Sequence, residues 1–324
     1  MKQPVVDIVT QSGKVRQAVA PLIISASRAT DIPAFHAEWL MTRLREGYSL
    51  WVNPFNRLNR QYVSFSGTKV IVFWSKNPAP LLPYLKEIAD MGLAFYFQFT
   101  LNNYEKEGFE PHLPALAERI RTFQALSEAV GKERVIWRFD PVCLGSGLSV
   151  EALADRIASV GDSIKGYTEK LVFSFVDIDN YAGVARRIAA HSADIRELGP
   201  EERARFAERL SGLQRTWGGG LSLTTCAEKT DLSGYGIGHN KCIDDALIRR
   251  ICGSDPEISS FLDRKGEEQL SLLPGLVQKS SRAPLKDTGQ RPQCGCIPSK
   301  DIGAYNTCSH QCVYCYASGN GIFP

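Results

Sequence analysis

The sequence predicts an α/β fold, a TIM-like (β/α) parallel barrel, full or partial, with a C-terminal cysteine-rich cap over the barrel mouth. Short apolar, β-branched runs alternate with amphipathic helical patterns over about 200 residues. Polar residues recur where the predicted strands end. Beyond about residue 240 the alternation stops, and seven of the nine cysteines lie there. We therefore assign residues 1–240 to the barrel and 241–324 to the cap, as one integrated domain.

The first unit sets the pattern that later units repeat. Residues 21–28 form a short apolar run typical of a buried strand. Asp31 caps the next helix, Pro33 stands in its first turn, and Gly47 ends it. Further strands are predicted over 48–52, 69–74, 93–99, 134–139, 170–176 and 220–225. Helices are predicted over 81–91, 115–130, 150–160, 182–191 and 201–216, with another from Cys242 to Cys252.

Some features leave the architecture open. Residues 61–65 fit either a further strand or half of a hairpin, so the barrel has six, seven or eight strands. Residues 254–278 mix short helical stretches with turns, and 279–291 read as a loop. An open doubly wound sheet is the alternative, but no Gly-rich phosphate loop follows the first strand to support it.

Composition sets the broad class. The chain has 324 residues, of which 44% are hydrophobic and 23% charged, as in ordinary globular proteins. A net charge of +3 is too small to argue for nucleic acid or an anionic membrane surface, although it excludes neither. No apolar run is long enough to span a membrane, and the start lacks a signal-peptide core. We expect a cytoplasmic protein whose clustered cysteines serve metal or redox chemistry.

The strongest chemical signal is Cys308, Cys312 and Cys315, spaced Cys-x3-Cys-x2-Cys with Tyr314 before the third thiol. A cubane iron–sulfur cluster normally takes four thiolates, so three from one loop leave one iron open. Open metal positions belong to catalytic sites and closed ones to structural sites. A tetrahedral zinc site completed by His310 or a distant cysteine is the alternative.

This array resembles the signature of the radical S-adenosylmethionine superfamily, and most closely its spore photoproduct lyase-like branch. The resemblance implies a 4Fe–4S cluster on Cys308, Cys312 and Cys315, with S-adenosylmethionine on the fourth iron and Tyr314 against the adenine. It also implies reductive cleavage to a 5′-deoxyadenosyl radical. In that superfamily the motif follows the first barrel strand, whereas only nine residues follow Cys315 here. The resemblance therefore implies a circularly permuted chain order.

Four other cysteines form a second candidate metal set. Cys294 and Cys296 are one residue apart, Cys226 ends a strand, and Cys242 starts the next helix. Together they would make a closed, fully protein-ligated centre, either a second 4Fe–4S cluster or zinc, for electron relay, substrate anchoring or bracing. The alternative is that they are small buried residues, a common fate of free cysteine. The remaining pair, Cys143 and Cys252, is assigned a structural role.

Polar residues at the strand ends are the candidate binding and catalytic groups, because such positions face the active site of a parallel barrel. The full set is Ser25, Ser27, Arg28, Asn53, Lys76, Gln98, Arg138, Asp140, Ser174, Asp177 and Glu228. The candidate catalytic residues are Arg28, Lys76, Arg138, Asp140 and Glu228. The candidate cofactor-binding residues are Tyr314, Ser25, Ser27, Asn53, Gln98 and Ser174. Singly, each also fits a helix cap or rim ion pair, and Arg138 with Asp140 fits a local ion pair.

The whole chain also resembles a bacterial and archaeal family known as domain of unknown function 1848. Matching stretches include 24–33, 53–55, 72–78, 137–141, 225–228 and the cysteine tail. That family brings no known substrate. We expect a radical enzyme acting on a small molecule or peptide, with an electron donor such as flavodoxin or ferredoxin. A non-catalytic zinc- or cluster-braced barrel and a radical enzyme acting on nucleic acid are the alternatives.

Overall fold

The computed structural model describes residues 3–54, 56–263 and 285–317. Its strands are β1 Val5–Val9, β2 Val15–Val19, β3 Ile23–Ala26, β4 Tyr48–Asn53, β5 Asn56–Ser64, β6 Val70–Ser75, β7 Ala94–Thr100, β8 Val135–Val142, β9 Lys170–Phe175, β10 Ser222–Thr225, β11 Gly238–His239 and β12 Lys300–Asp301. Its α-helices are α1 Ile32–Phe35, α2 Ala37–Glu46, α3 Leu85–Asp90, α4 Leu116–Val130, α5 Val150–Ile164, α6 Ala182–Ala190, α7 Pro200–Thr216, α8 Asp245–Cys252 and α9 Pro256–Asp263. In this described part, no helix combines the length and apolarity needed to cross a membrane.

Eight parallel strands form the main sheet, in the order β12-β3-β6-β7-β8-β9-β10-β11. From β3 to β11 the spatial order follows the chain order without reversal. A doubly wound sheet would instead reverse its order at a switch point. The predicted α/β class with a large parallel sheet is therefore confirmed. β12 departs from chain order, because it returns from the C-terminal segment to pair beside β3.

The two faces of this sheet carry different cores, as the period-2 alternation of strands requires. On one face Phe73, Phe97 and Trp137 join the core that also contains buried residues of α2, α4, α5 and α7. On the other face the strands pack against the C-terminal segment. That second core includes Val70, Val72, Tyr96, Ile136, Val172, Ile243, Ile248, Ile258 and Ile297. Residues 242–261 and 294–297 thus cover the face of the sheet opposite α2, α4, α5 and α7.

One predicted barrel strand belongs elsewhere. The strand predicted over 48–52 is β4, which pairs antiparallel with β5 in a separate sheet of order β1-β2-β5-β4. The hairpin alternative for residues 61–65 is therefore the correct one. β1 and β2 were missed in the sequence; both are short, largely exposed strands outside the main parallel sheet.

The predicted helix after β3 is broken into two. Asp31 caps α1 as expected, since its Oδ1 accepts a hydrogen bond from Ala34 N at 3.0 Å. His36 interrupts the helix, and α2 ends at Gly47, whose positive φ of 82° suits glycine. The helix predicted over 81–91 begins as a 3₁₀ turn that contains Pro83, before α3. Of the stretches predicted over 254–278 and 279–291, α9 is present, and residues 264–284 lie outside the described part.

The carboxylate of Asp301 fastens β12 to the start of the chain. Its Oδ2 accepts hydrogen bonds from Ser25 Oγ at 3.1 Å and Arg28 N at 2.8 Å. Its Oδ1 accepts from Ser27 Oγ at 2.6 Å and Gly303 N at 2.8 Å. A Cβ at Gly303 would lie 1.9 Å from Ser27 Oγ, so no larger residue fits there unless the loop shifts. This single side chain fixes where the cysteine loop starts.

We predict that Asp301→Ala lowers the free energy of unfolding by about 3 kcal/mol, because buried donors lose a charged acceptor. Urea unfolding followed by tryptophan fluorescence measures the change. The matched control is Asp7→Ala in exposed β1, which should leave the free energy of unfolding nearly unchanged. Equal midpoints and slopes for the two variants would show that Asp301 does not anchor β12.

Candidate metal and cofactor site

The three-cysteine loop leaves β12 and is held by the rest of the chain through its backbone. Val313 N donates to Phe109 O at 2.9 Å. Arg187 of α6 donates from Nε to Cys312 O at 2.8 Å and from Nη2 to Gln311 Oε1 at 2.8 Å. Within the loop, Cys315 N donates to Cys312 O at 3.1 Å. These bonds place the loop at the carboxyl ends of the parallel strands.

Its thiols are free, sheltered and close enough to influence each other. Cys312 is buried, and Cys308 and Cys315 are half-buried. Burial raises the pKa of Cys312 well above its usual range, with Lys76 opposing and the charges of Cys315 and Cys308 adding to the rise. Burial also raises the pKa of Cys308 to about 11, although backbone N–H groups of His310 and Asp31 lower it. A metal would have to displace these protons.

One ring nitrogen of His310 already forms a hydrogen bond. Its Nε2 lies 2.9 Å from Asp31 Oδ2, and its ring contacts the ring of Phe35 with 4.5 Å between centroids. The same Asp31 oxygen accepts from Lys76 N at 2.7 Å. His310 Nδ1 is buried without a hydrogen-bond partner. The zinc alternative with His310 as fourth ligand therefore depends on Nδ1 alone.

Tyr314 ends in a buried polar network. Its hydroxyl bonds to the Glu110 carboxylate and accepts from Asn102 Nδ2 at 3.0 Å. Lys76 Nζ lies 3.3 Å from the hydroxyl and 2.6 Å from Glu110 Oε1. Glu110 and Asn102 were not predicted from the sequence, since both lie in the loop after β7 and not in the strand itself. The Tyr314 hydroxyl thus has protein partners, and the contact of Tyr314 with adenine stays a prediction.

The second set of four cysteines does come together. Cys226 Sγ and Cys242 Sγ are 3.3 Å apart. Cys296 Sγ accepts from Cys242 N at 3.2 Å and from Ile243 N at 3.4 Å. Cys294 belongs to the same buried cluster as Cys242 and Cys296, and Cys226 packs against that cluster. The metal that this arrangement would hold remains a prediction.

Two arginines flank these four thiols. Arg138 donates from Nη1 to Cys242 Sγ at 3.0 Å and to Gln98 Oε1 at 3.2 Å, and it pairs through Nη2 with Asp140. The guanidinium carbons of Arg28 and Arg138 lie 5.0 and 5.3 Å from the ring centroid of Trp74. Arg28 Nη2 is buried and has no hydrogen-bond partner. That atom is the best-placed donor for an anionic ligand.

Lys76 lies between the two cysteine sets. Burial by itself lowers its pKa, but the negative charges of Glu110 and Cys312 raise it, and Asp140 adds to the rise. Asp140 in turn pairs with Arg138, which reaches Cys242. The candidate catalytic side chains therefore bridge the two sets.

Several residues that were predicted to bind a cofactor or substrate form hydrogen bonds with other groups of the protein. Ser25 and Ser27 bind Asp301, as described above, and Gln98 Nε2 donates to Cys242 O at 2.9 Å. Ser174 Oγ donates to Asp140. Glu228 Oε1 accepts from Phe175 N at 2.9 Å, and burial raises the pKa of this carboxyl.

Two residues of the predicted set stand apart from the thiols in this arrangement. Asn53 ends β4 in the second sheet, where its Oδ1 accepts from Asn56 N at 3.2 Å. The prediction that Asn53 lies at a barrel strand end was wrong, because β4 is not in the parallel sheet. Asp177 is held locally by Asn180, whose backbone N donates to Asp177 Oδ1 at 3.2 Å.

Neither cysteine set forms a ready-made coordination sphere. Within residues 3–54, 56–263 and 285–317, no three His, Cys, Asp or Glu side chains already surround a point that could hold a metal ion. The sulfurs lie as hydrogen-bonded thiols, with 3.3 Å between Cys226 and Cys242. A tetrahedral zinc site with Zn–S bonds of about 2.3 Å needs about 3.8 Å between sulfurs. Binding would therefore require the thiols to deprotonate and separate slightly.

Comparison with known proteins gives a family but no activity. The model of a family described as a domain of unknown function (DUF1848) matches residues 23–317. No curated protein matches the chain. A candidate alpha-L-fucosidase crystal structure from Bacteroides thetaiotaomicron aligns at 13% identity and a TM-score of 0.24. The alignment covers 51% of this chain and 64% of that one, and at this TM-score it supports no conclusion.

We predict that Glu110→Gln destabilises the fold by about 2 kcal/mol, because it leaves the half-buried Lys76 cation without its counter-ion. Burial raises the pKa of Glu110, but the charges of Lys76 and Arg119 outweigh it, so the net pKa lies below the ordinary 4.5. The ionised carboxylate therefore stabilises the fold above about pH 4.5, and this stabilisation is lost as the pH falls through the folded-state pKa.

Urea unfolding at pH 7 and at decreasing pH measures this effect. The difference between wild type and Glu110→Gln should shrink on acidification. Glu87→Gln, which removes the exposed partner of Arg45, is the control and should change stability little at any pH. A difference that does not depend on pH would contradict the ion-pair explanation.

Proposed function

The chain belongs to the DUF1848 family, and we propose that it is an iron–sulfur enzyme of the radical S-adenosylmethionine type. The substrate would be a small molecule or peptide. The observation that carries this proposal is the position of the cysteine loop. β12 is the first strand in the spatial order of the parallel sheet, and the loop leaves its carboxyl end. The cysteine motif therefore follows the edge strand β12, which precedes β3 in the sheet although it comes last in the chain. This is the order that a circular permutation of the superfamily's arrangement would give.

We also propose that the parallel sheet curves into a partial barrel that is closed by the C-terminal segment. The sequential strand order supports it, because singly wound sheets place their helices on one side. Residues 242–261 and 294–297 pack on the other face, which would be the barrel interior. In that arrangement the region after residue 240 fills the inside as well as covering the mouth.

Cys308, Cys312 and Cys315 are the residues that would hold a 4Fe–4S cluster. When bound with S-adenosylmethionine, such a cluster supplies the electron that yields a 5′-deoxyadenosyl radical. The protein's part is to shelter the thiols, and it does so by burying Cys312 and fixing its carbonyl through Arg187. The positive charge of the half-buried Lys76 lowers the pKa of the Cys312 thiol and so favours its thiolate. A flavodoxin or ferredoxin would be the electron donor.

The charged side chains on the second face would bind and orient the substrate. Arg28 Nη2 offers an unused buried donor for a carboxylate or phosphate. Asp140 is fixed by Arg138 and Ser174, so it would orient the Arg138 guanidinium. Glu228 is half-buried, and burial raises the pKa of its carboxyl, which makes it a candidate for proton transfer to or from the substrate.

One observation favours the non-catalytic alternative, a metal-braced barrel. Ser25, Ser27, Gln98 and Ser174 all bond to protein groups, which a purely structural role explains. That alternative predicts metal binding without affinity for S-adenosylmethionine. A nucleic-acid substrate has less support, because the net charge is only +3.

The test is anaerobic reconstitution with iron and sulfide, followed by EPR of the reduced protein with and without S-adenosylmethionine. We expect about four irons and four sulfides per chain and a cluster signal that S-adenosylmethionine perturbs. Cys312→Ala should abolish that signal, because it removes one of three ligands. Cys252→Ala, on helix α8, is the matched control and should keep both the signal and its perturbation.

Iron binding that S-adenosylmethionine leaves unperturbed would favour the braced barrel and contradict the radical proposal. A signal that survives in Cys312→Ala would contradict the assignment of the cluster to this loop.

A further inference from the structure

We propose that Cys226, Cys242, Cys294 and Cys296 form a closed site for one divalent metal ion of the zinc class. The site draws on three separate segments: the end of β10, the turn before α8 and the loop before β12. It is independent of the proposed radical chemistry, since no thiol of the 308–315 loop takes part.

The spacing of the sulfurs favours a single ion over a cluster. Cys226 Sγ and Cys242 Sγ are 3.3 Å apart, Cys296 Sγ lies 3.2 Å from the backbone N of Cys242, and Cys294 belongs to the same packed cluster. A tetrahedral zinc ion needs only about 3.8 Å between sulfurs, so small side-chain shifts suffice. A cubane cluster places irons and sulfides between its thiolates, so the four sulfurs would have to separate much further.

The hydrogen-bond donors around the sulfurs suit thiolates better than thiols. Cys242 Sγ accepts from Arg138 Nη1 at 3.0 Å and Asn240 Nδ2 at 3.2 Å. Cys296 Sγ accepts from two backbone N–H groups, those of Cys242 and Ile243. A neutral thiol is a weak acceptor, whereas a metal-bound thiolate takes such bonds readily. Four donors on two sulfurs therefore match metal ligands.

Charge balance points the same way. Four thiolates and one divalent ion carry a net charge of about −2. The Arg138 guanidinium lies beside them, since its Nη1 donates to Cys242 Sγ at 3.0 Å, and the Arg28 guanidinium contacts the same Trp74 ring as Arg138. Soft sulfur-only ligation selects zinc over hard cations such as magnesium or calcium.

A redox dithiol formed by Cys226 and Cys242 is the competing explanation for the 3.3 Å contact. A Cys226–Cys242 dithiol does not explain why Cys294 and Cys296 lie nearby or why two backbone N–H groups donate to Cys296. A four-ligand ion accounts for all of them.

The site would fasten the segment that carries the cysteine loop. Cys296 lies four residues before β12, and Ile297 is buried in the second core. A bound ion would tie this segment to the end of β10 and to the turn before α8. Metal binding would thus contribute directly to the stability of the C-terminal region.

The experiment uses the full chain carrying Cys308→Ala, Cys312→Ala and Cys315→Ala, which removes the other candidate site. After anaerobic purification, inductively coupled plasma mass spectrometry should find about one zinc per chain. Adding Cys242→Ser or Cys296→Ser should lower the zinc content at least tenfold, whereas adding Cys252→Ser, on α8, should leave it unchanged. Cobalt substitution of the unmutated four-thiol site should give the intense sulfur-to-cobalt charge-transfer absorption of tetrahedral thiolate ligation.

Thiol alkylation read by mass spectrometry keeps the test informative if a serine variant fails to fold. The four thiols should resist alkylation in the zinc-loaded chain and react after chelation. Three outcomes would overturn the proposal: no metal, iron with sulfide on these four residues, or a Cys226–Cys242 disulfide in anaerobically purified protein. All of these are read without the 308–315 thiols, so failure here is distinct from failure of the radical proposal.

Discussion

The carboxylate of Asp301 is the contact on which the rest of this arrangement depends. By accepting hydrogen bonds from both serines and from the backbone after β3, it holds β12 at the edge of the parallel sheet. The Cys308 loop starts seven residues later, and from that edge Val313 and Tyr314 reach Phe109 and Lys76. A pairing of two short strands that lie far apart in the chain thus positions the C-terminal cysteines against the sheet.

Strand alternation then places one cysteine set beside a charged surface. Gln98 follows Tyr96 on the second face of the sheet, and Arg138 follows Ile136, so the face changes from apolar to polar toward its carboxyl end. The C-terminal segment covers the apolar half with isoleucines and supplies Cys242 and Cys296 to the polar half. Cys312 and Tyr314 of the other set belong to the core on the opposite face, and Lys76 Nζ reaches the Tyr314 hydroxyl at the ends of the strands.

Helix ends and buried strands, which depend on local sequence patterns, were predicted from the sequence. Contacts between segments that lie far apart in the chain were missed. Asp31, Gly47 and the strand that includes Arg138 were readable, because caps and apolar periodicity are local signals. The separate sheet containing β4 was not predicted, because the sequence of one strand does not show which other strand it pairs with. Asp301 and Glu110 carried no signal either, because their partners lie far away in the chain. The convergence of the four thiols was predicted from the strand end at Cys226, the helix start at Cys242 and the close spacing of Cys294 and Cys296.

Together we propose that the chain binds two different metal centres through its two cysteine sets. Anomalous X-ray diffraction from anaerobically grown crystals, at the iron and zinc absorption edges, tests that claim most directly. We predict iron density beside Cys308, Cys312 and Cys315, and a single zinc peak among Cys226, Cys242, Cys294 and Cys296. The same metal at both places, or no anomalous peak at either, would contradict it.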